Sequence, residues 1–165
     1  MTDALDVCIY TDGACLGNPG PGGYGVVLLN GSHRKELYAG YRRTTNNRME
    51  LMGAIAGLRA LKRPCRVTLH TDSQYVYNGI TKGWAKRWRA NGWRRSTGEK
   101  ALNADLWDEL LKLCDQHQVR WVWVRGHAGN LENERCDRLA VEAYQGENLL
   151  LDAGYERQQL PADRR

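Results

Sequence analysis

The chain has 165 residues and a formal net charge of +5; 42% of its residues are hydrophobic and 26% are charged. This length and balance are typical of one soluble globular domain with a single core. No apolar run approaches the roughly 18 residues of a membrane span. The N-terminal sequence MTDALDVCIY lacks the basic and apolar regions of an export signal. We therefore expect neither a membrane span nor export.

The five cysteines favour a reducing compartment. Their number is odd and none of them forms a C-x-x-C pair, which argues against a zinc site and against a disulfide framework. The sequence thus predicts a cytoplasmic protein. No coiled-coil pattern is present, so we also expect a monomer without an obligate protein partner.

The first part of the chain predicts three strands joined by short turns. Residues 6–12 and 24–30 are rich in apolar and β-branched side chains. The Asn30-Gly31 turn signal leads into a third strand at 33–42. Three strands in this order predict an antiparallel meander.

The rest of the chain predicts alternating helices and strands. The predicted elements are a helix at 46–61 that Pro64 stops, a strand at 66–71, a short helix capped by Ser73, an amphipathic helix at 103–116, a strand at 119–126 and a helix at 131–144. This order predicts the α/β class, with helices packed on a five-stranded mixed sheet. We expect one domain at 1–145, followed by a loosely ordered, polar tail at 146–165.

Four acids fall at informative places in these elements. Asp12 and Asp72 lie where the first and fourth strands end, which is where α/β active sites usually form. Glu50 lies early in the long helix and Asp137 lies in the last helix. If the first and fourth strands are neighbours, the two aspartates converge and each helix needs to present only one acid.

A cluster of carboxylates is tolerable when divalent cations neutralise it, because like charges raise one another's pKa. Oxygen ligands without cysteine or several histidines favour Mg²⁺ or Mn²⁺. Two such ions about 4 Å apart activate a water and stabilise the leaving oxygen of a phosphodiester. The spacing alone leaves open the alternative that the four acids never meet. His127, just after the fifth strand, is either a loop residue or a proton shuttle near neutral pH.

The positive charge is concentrated in one segment, since residues 82–100 hold seven Lys or Arg and one Glu. Within it, KGWAKRWRANGWRR interleaves tryptophans with cations. Trp84 and Trp88 are four residues apart and would share a helix face. Aromatic anchors among cations favour binding to a nucleic-acid backbone. The alternative is a solvated charged face over a small tryptophan core.

The glycine-rich stretch IYTDGACLGNPGPGGYG at 9–25 first suggests a phosphate-binding loop. It lacks G-K-[ST], and a strand rather than a helix follows it, so that interpretation fails. The glycines instead predict a tight turn between strands, with Asp12 as the functional residue.

Several long motifs, in order, resemble bacterial type 1 ribonuclease H. They are YTDGACLGNPGPGGYG, TTNNRMELMGAI, TDSQYV, NADLW and WVRGHAGNLENERCDRLA, within about residues 6–144. The resemblance implies a five-stranded mixed sheet with its first three strands antiparallel and helices on both faces. It also implies endonucleolytic hydrolysis of the RNA strand of RNA/DNA hybrids, which leaves 3′-hydroxyl and 5′-phosphate ends.

The resemblance implies roles for the acids as ligands of two Mg²⁺ ions, with Mn²⁺ as a substitute. Asp12 would bridge the ions, Glu50 and Asp72 would be its partners, and Asp137 would be the fourth ligand. His127 would aid proton transfer or product release.

The same resemblance implies two sets of substrate-binding residues for an RNA/DNA hybrid. Those on the RNA side are Cys15, Asn18, Asn46, Asn47 and Gln74. Those on the DNA side are Thr45, Trp84, Lys86, Arg87, Trp88, Arg89, Trp93, Arg94 and Arg95. The stretch GITKGWAKRW carries one residue more than the corresponding segment of the familiar family members. Which of its basic residues contact DNA therefore stays open.

Two other functions compete with hybrid cleavage. A hybrid-binding module would need the basic segment but not the four acids. A metal nuclease acting on DNA junctions or ends would share the fold, but it would have no use for the asparagines and Gln74, whose amides suit a 2′-hydroxyl.

Overall fold

The computed structural model describes residues 5–126 and 129–159. The strands in this part of the chain are β1 (Leu5–Cys15), β2 (Gly20–Asn30), β3 (His33–Thr44), β4 (Cys65–Thr71) and β5 (Gln118–Trp123). The helices are α1 (Asn46–Arg59), α2 (Gln74–Thr81), α3 (Trp84–Ala90), α4 (Ala104–Gln116), α5 (Leu131–Gln145) and α6 (Ala153–Gln158).

The five strands form one mixed sheet in the order β3-β2-β1-β4-β5. The meander β1–β2–β3 is antiparallel, whereas β4 pairs in parallel with both β1 and β5. This topology confirms the predicted fold class. It also places β1 and β4 side by side at the centre of the sheet.

Helices cover both faces of the sheet. On one face, Gly57 of α1 lies against Ile9 and Val26. On the other face, Cys136 of α5 packs with Val27, the neighbour of Val26, and its thiol donates to the Tyr10 carbonyl oxygen. Because neighbouring strand residues point to opposite faces, α1 and α5 lie on opposite sides. None of the helices in the described ranges is long and apolar enough to cross a membrane.

The tail departs from the sequence-based expectation, since residues 146–159 are not loose. The Leu150 N–H donates to the Gly40 carbonyl oxygen at 2.9 Å, and the Arg42 N–H donates to the Leu150 carbonyl oxygen at 2.9 Å. The segment therefore covers part of the exposed edge of β3 and continues into α6. The polar composition of this segment suggested solvated side chains, but Asp152 is a buried partner of Arg48.

The small residues of α1 allow this helix to approach the sheet closely. A Cβ built on Gly57 would lie 2.9 Å from Ile9 Cγ2, whereas one built on Gly53 would make ordinary contacts, 3.4 Å from Thr11 Cβ and 3.5 Å from Tyr24 Cβ. The backbone of α1 thus lies closer to the sheet than a helix of larger residues could.

Gly25 allows β2 to pack closely against α5, and this contact leads to a prediction about stability. A Cβ on Gly25 would overlap the Cys136 carbonyl oxygen and lie 2.7 Å from Leu139 Cβ. We expect Gly25→Ala to lower the free energy of unfolding by about 1–3 kcal/mol. Gly53→Ala is the matched control and should raise it by up to about 1 kcal/mol, because alanine favours the helix. Urea denaturation measures both, and equal effects of the two changes would contradict the packing argument.

Candidate active site

Three carboxylates meet at the centre of the sheet. One oxygen each from Asp12, Glu50 and Asp72 lies within 4.8 Å of the others. The strand register explains the two aspartates, since Thr11 is directly opposite Thr71 in the parallel pair of β1 and β4. The residues that follow, Asp12 and Asp72, therefore emerge next to each other.

Helix α1 supplies Glu50 from the face of the sheet. Thr45 caps this helix by accepting from the Arg48 N–H at 3.2 Å. In β1, Gly13 lies directly against the backbone of α1. A Cβ on Gly13 would lie only 2.6 Å from Glu50 N, so only glycine allows β1 and α1 to come this close. The Gly13 N–H donates to Glu50 Oε1 at 2.7 Å and to Asp12 Oδ1 at 2.9 Å. One backbone amide thus orients two of the three acids.

The electrostatics of the cluster fit a divalent cation. Burial, and then the neighbouring charges of Glu50 and Asp72, raise the pKa of Asp12 far above its usual range. Burial also raises the pKa of Glu50. Glu50 Oε2 is buried and has no hydrogen-bond partner among the described residues. A cluster of hard oxygen ligands with an unpaired buried oxygen suits Mg²⁺ or Mn²⁺.

Asp137 lies on the same cleft as the other three acids. The cleft has a volume of about 490 Å³, and the four carboxylate residues all line it. The charge of Asp137 contributes to the raised pKa of Glu50. Asp137 is not part of the tight three-residue cluster, so it stands on the wall of the cleft, beside the cluster. His127 lies outside the described residues.

Most of the residues expected on the RNA side line the same cleft. Cys15, Asn46, Asn47 and Gln74 contribute to its wall. Asn18 lies next to them, where its Oδ1 accepts from the Asn46 N–H at 2.9 Å. Burial raises the pKa of the Cys15 thiol, which therefore stays protonated at neutral pH. The cleft carries hydrogen-bonding groups all along this side.

The basic segment forms a second groove that joins the first. This groove has a volume of about 600 Å³, and both grooves are lined by Asn47 and Tyr75. The tryptophans and arginines of the basic segment that line it are Trp84, Arg87, Trp88, Arg94 and Arg95. A continuous surface thus runs from the carboxylates to these cations.

Four residues expected on the DNA side do not line the second groove. They are Lys86, Arg89, Trp93 and Thr45, the N-cap of α1. Arg89 Nη1 is 3.6 Å from Asp115 Oδ2 of α4, and Trp93 packs against the core. The sequence of the segment could not separate these side chains, because packing in the fold places Arg89 of α3 beside Asp115 of α4.

Two groups that shape the site were not predicted from the sequence. The Gly13 amide was missed because its role depends on contact with α1, although its place directly after Asp12 was a signal. Tyr75 was also missed, and it sits where the two grooves meet. Its hydroxyl accepts from Trp107 Nε1 at 2.9 Å and from Asn103 Nδ2 at 3.2 Å. Its place within the motif TDSQYV was the available signal.

A mixed sheet that carries clustered carboxylates beside a basic groove is typical of α/β nucleases. Comparisons with known proteins identify the family within this class. A family model described as RNase H matches residues 4–145. The ribonuclease H of Syntrophus aciditrophicus is 67% identical over 149 residues, which cover 90% of this chain and 86% of that protein. The ribonuclease HI of Synechocystis is 61% identical over 150 residues, or 90% of this chain and 94% of that protein.

Solved structures agree with this result. The crystal structure of LC9-RNase H1, a type 1 RNase H with the type 2 active-site motif, matches with a TM-score of 0.79 and 35% identity, covering 99% of this chain and 85% of that one. LC11-RNase H1, solved in complex with an RNA/DNA hybrid, shares the fold with a TM-score of 0.65 at 24% identity, covering 84% of this chain and 96% of that one. The chain belongs to the RNase H family, and the resemblance to bacterial type 1 enzymes is confirmed. It is therefore an enzyme of the nuclease type.

Proposed function

We propose that this protein hydrolyses the RNA strand of RNA/DNA hybrids endonucleolytically, by two-metal-ion cleavage that leaves 3′-hydroxyl and 5′-phosphate ends. The observation that carries the proposal is the carboxylate cluster with its unpaired Glu50 oxygen, which opens onto a cleft continuous with the basic groove. A binding module would have no use for buried, mutually repelling acids, because their burial costs stability unless a cation joins them.

The four acids would hold two Mg²⁺ ions, or Mn²⁺ in their place. Bound there, the ions supply a water activated at neutral pH and stabilise the charge on the leaving oxygen. Asp12 borders both Glu50 and Asp72. Gly13 keeps Asp12 and Glu50 in a fixed relation through its shared amide. Asp137 serves from the wall of the cleft, and His127 is proposed to aid proton transfer or product release.

The RNA strand is proposed to lie along Cys15, Asn18, Asn46, Asn47 and Gln74. Amide side chains both donate and accept, and so they suit a 2′-hydroxyl, which does the same. Four of these five residues line the cleft that holds the acids. This arrangement would present the 2′-hydroxyls of one strand to polar groups next to the scissile phosphate.

The DNA strand is proposed to lie in the second groove, near Thr45. Trp84 and Trp88 provide flat apolar surface there, and three arginines supply positive charge. We further propose that the protein acts in the cytoplasm as a monomer without an obligate protein partner. The five free cysteines all lie in the described part of the chain and are consistent with a reducing compartment.

One assay tests the proposed function. The protein is incubated with labelled RNA/DNA hybrid, duplex DNA and duplex RNA, each with Mg²⁺, with Mn²⁺ and with EDTA. We expect cleavage of the hybrid's RNA strand only, its loss in EDTA, and 5′-phosphate ends on the products. Cleavage of duplex DNA would instead support a DNA nuclease, and hybrid binding without turnover under either metal would support a binding module.

The groove assignment predicts unequal roles for the cations of the basic segment. Arg94→Ala should weaken hybrid binding and reduce the slope of log K against log salt by about 0.9, the value for one lost phosphate contact. Lys86→Ala is the matched control, because Lys86 lies in α3 but does not line the groove. Its affinity and salt slope should stay near the wild-type values. Fluorescence anisotropy over a salt series measures both, and equal losses would contradict the assignment.

A further inference from the structure

The segment that leaves β5 lies directly against the strand end that carries Asp72. We call residues 123–126 the β5 strap. The Val124 N–H donates to the Thr71 carbonyl oxygen at 2.9 Å, and Trp123 Nε1 donates to the Asp72 carbonyl oxygen at 3.3 Å. The strap is thus hydrogen-bonded to the carbonyl groups of the two peptides that flank the Cα of Asp72.

Gly126 brings the strap into contact with the Asp72 carboxylate itself. A Cβ built on Gly126 would lie 3.0 Å from Asp72 Oδ2 and 3.7 Å from Asp72 Cβ and Cγ. Gly126 does not have a positive φ, so its backbone conformation is open to other residues. A methyl group at this position therefore fits only if the carboxylate oxygen moves by a few tenths of an ångström.

The other two acids of the cluster are positioned differently. Asp12 and Glu50 both accept from the Gly13 N–H, which lies in β1. Asp72 contacts Asp12 within the cluster, and its backbone carbonyl and its carboxylate lie against Trp123 and Gly126 of the strap. The three-acid cluster is therefore assembled from two separate backbone elements, Gly13 and the β5 strap.

We infer that the β5 strap is a positioning element for Asp72, in which Trp123 fixes the backbone carbonyl of that residue and Gly126 leaves room for its carboxylate. The inference rests on the proposed function, in which Asp72 is a metal ligand. It assigns no chemical step to the strap. Partners that orient metal ligands typically change metal affinity or activity by 10–100-fold when they are mutated.

Two variants disturb the strap in different ways. Gly126→Ala adds the methyl group beside Asp72 Oδ2. Trp123→Phe keeps an aromatic ring and removes the N–H; Trp123 is 41% exposed, so this change should cost little stability. Gly146→Ala is the matched control, because it is another glycine without a positive φ, it follows α5, and a Cβ there would lie 3.4 Å from the nearest atom, the Ala143 carbonyl oxygen.

The primary measurement is Mn²⁺ binding by isothermal titration calorimetry without substrate. It is accompanied by thermal unfolding in EDTA and by kcat and KM on a labelled hybrid. We expect Gly126→Ala to weaken Mn²⁺ binding and to lower kcat, each by about tenfold or more. Trp123→Phe should have a smaller effect in the same direction. The KM for hybrid and the unfolding temperature in EDTA should stay near wild-type values for both, and Gly146→Ala should match wild type throughout.

The inference and the proposed function fail in different ways. Mn²⁺ affinity and kcat that are unchanged in both strap variants would overturn the inference. So would a loss of activity fully matched by a lower unfolding temperature in EDTA, since that would show a purely structural role. A wild-type protein that binds Mn²⁺ but does not cleave the hybrid would overturn the proposed function and leave the strap's effect on metal binding measurable.

Discussion

Asp12→Asn is expected to abolish hybrid cleavage, with a loss of about 10³-fold or more, while it makes the metal-free protein more stable. One carboxylate oxygen of Asp12 lies within 4.8 Å of those of Glu50 and Asp72, and Asp12 is 5% exposed. Electrostatic stabilisation by a bound divalent ion amounts to several kcal/mol, and each 1.4 kcal/mol is about a factor of ten in rate. An amide oxygen keeps the shape of the side chain but not the charge that holds the ion.

The gain in stability follows from the raised pKa of Asp12. Burial and the charges of Glu50 and Asp72 favour the protonated carboxyl in the folded state. Between the unfolded pKa of about 4 and the raised folded pKa, the native state binds a proton that the unfolded state has released. Stability attributable to Asp12 therefore falls as pH rises through this window. Asparagine does not titrate, so the advantage of the variant should grow from pH 5 to pH 8.

Thermal unfolding in EDTA across that pH range measures the effect. Added Mg²⁺ should narrow or reverse the difference, because an ion that binds the native wild-type protein stabilises it by mass action. Asp6→Asn is the control, since Asp6 lies at the other end of β1 and pairs at the surface with Arg66. It should cleave hybrid at the wild-type rate. Cleavage by Asp12→Asn near the wild-type rate would refute the mechanism, and a lower unfolding temperature in EDTA would refute the electrostatic argument.

The sequence predicted the sheet and most helices because their signals are local. Alternation and helical spacing depend on nearby residues, and Ser73 indeed caps α2, where its Oγ accepts from the Val76 N–H at 3.1 Å. The convergence of Asp12 and Asp72 was also predictable, since it needs only the neighbouring positions of β1 and β4. The boundary of β5 was less accurate: it ends at Trp123, and the following residues turn back over Asp72.

The features that could not be predicted depend on contacts between distant parts of the chain. The segment at 146–165 looked loose because its sequence is polar and irregular, yet Asp152 bonds to Arg48, 104 residues away in sequence. Likewise, the Gly13 amide can orient Glu50, which lies 37 residues later in the sequence, only after α1 has packed against β1. The orientation of the cations in α3 is set by packing against α4. Periodicity carries no information about such pairs.

Arg48→Met is expected to cost about 3–5 kcal/mol of unfolding free energy, because it breaks a buried ion pair from one side. The side chains of Arg48 and Asp152 are each only 1% exposed, with Arg48 Nε 2.8 Å from Asp152 Oδ2. Arg48 also bonds to Asp105, whose carboxylate is 45% exposed and can turn to water. Asp152 is buried and cannot turn to water, so loss of Arg48 leaves its carboxylate in the interior without a cationic partner.

The residual partners of Asp152 cannot replace the arginine. The Thr44 hydroxyl donates to Asp152 Oδ2 at 2.7 Å, and the Tyr155 N–H donates to Asp152 Oδ1 at 3.1 Å. These are neutral donors, and they offset only part of the cost of a buried carboxylate. We therefore expect the segment at 146–159 to detach first, since its attachment includes this pair. Limited proteolysis should then cut the variant within the segment under conditions that leave the wild type intact.

Arg42→Met is the control variant, because it removes a different and exposed ion pair from the same segment. Arg42 binds Glu156 of α6, but its side chain is 62% exposed. Exposed pairs contribute at most about 1 kcal/mol, so this variant should resemble the wild type in urea denaturation and in proteolysis. If Arg48→Met and Arg42→Met lose equal, small amounts, the buried pair does not anchor the tail. The attachment would then depend on the backbone bonds of Leu150 and on the packing of Tyr155.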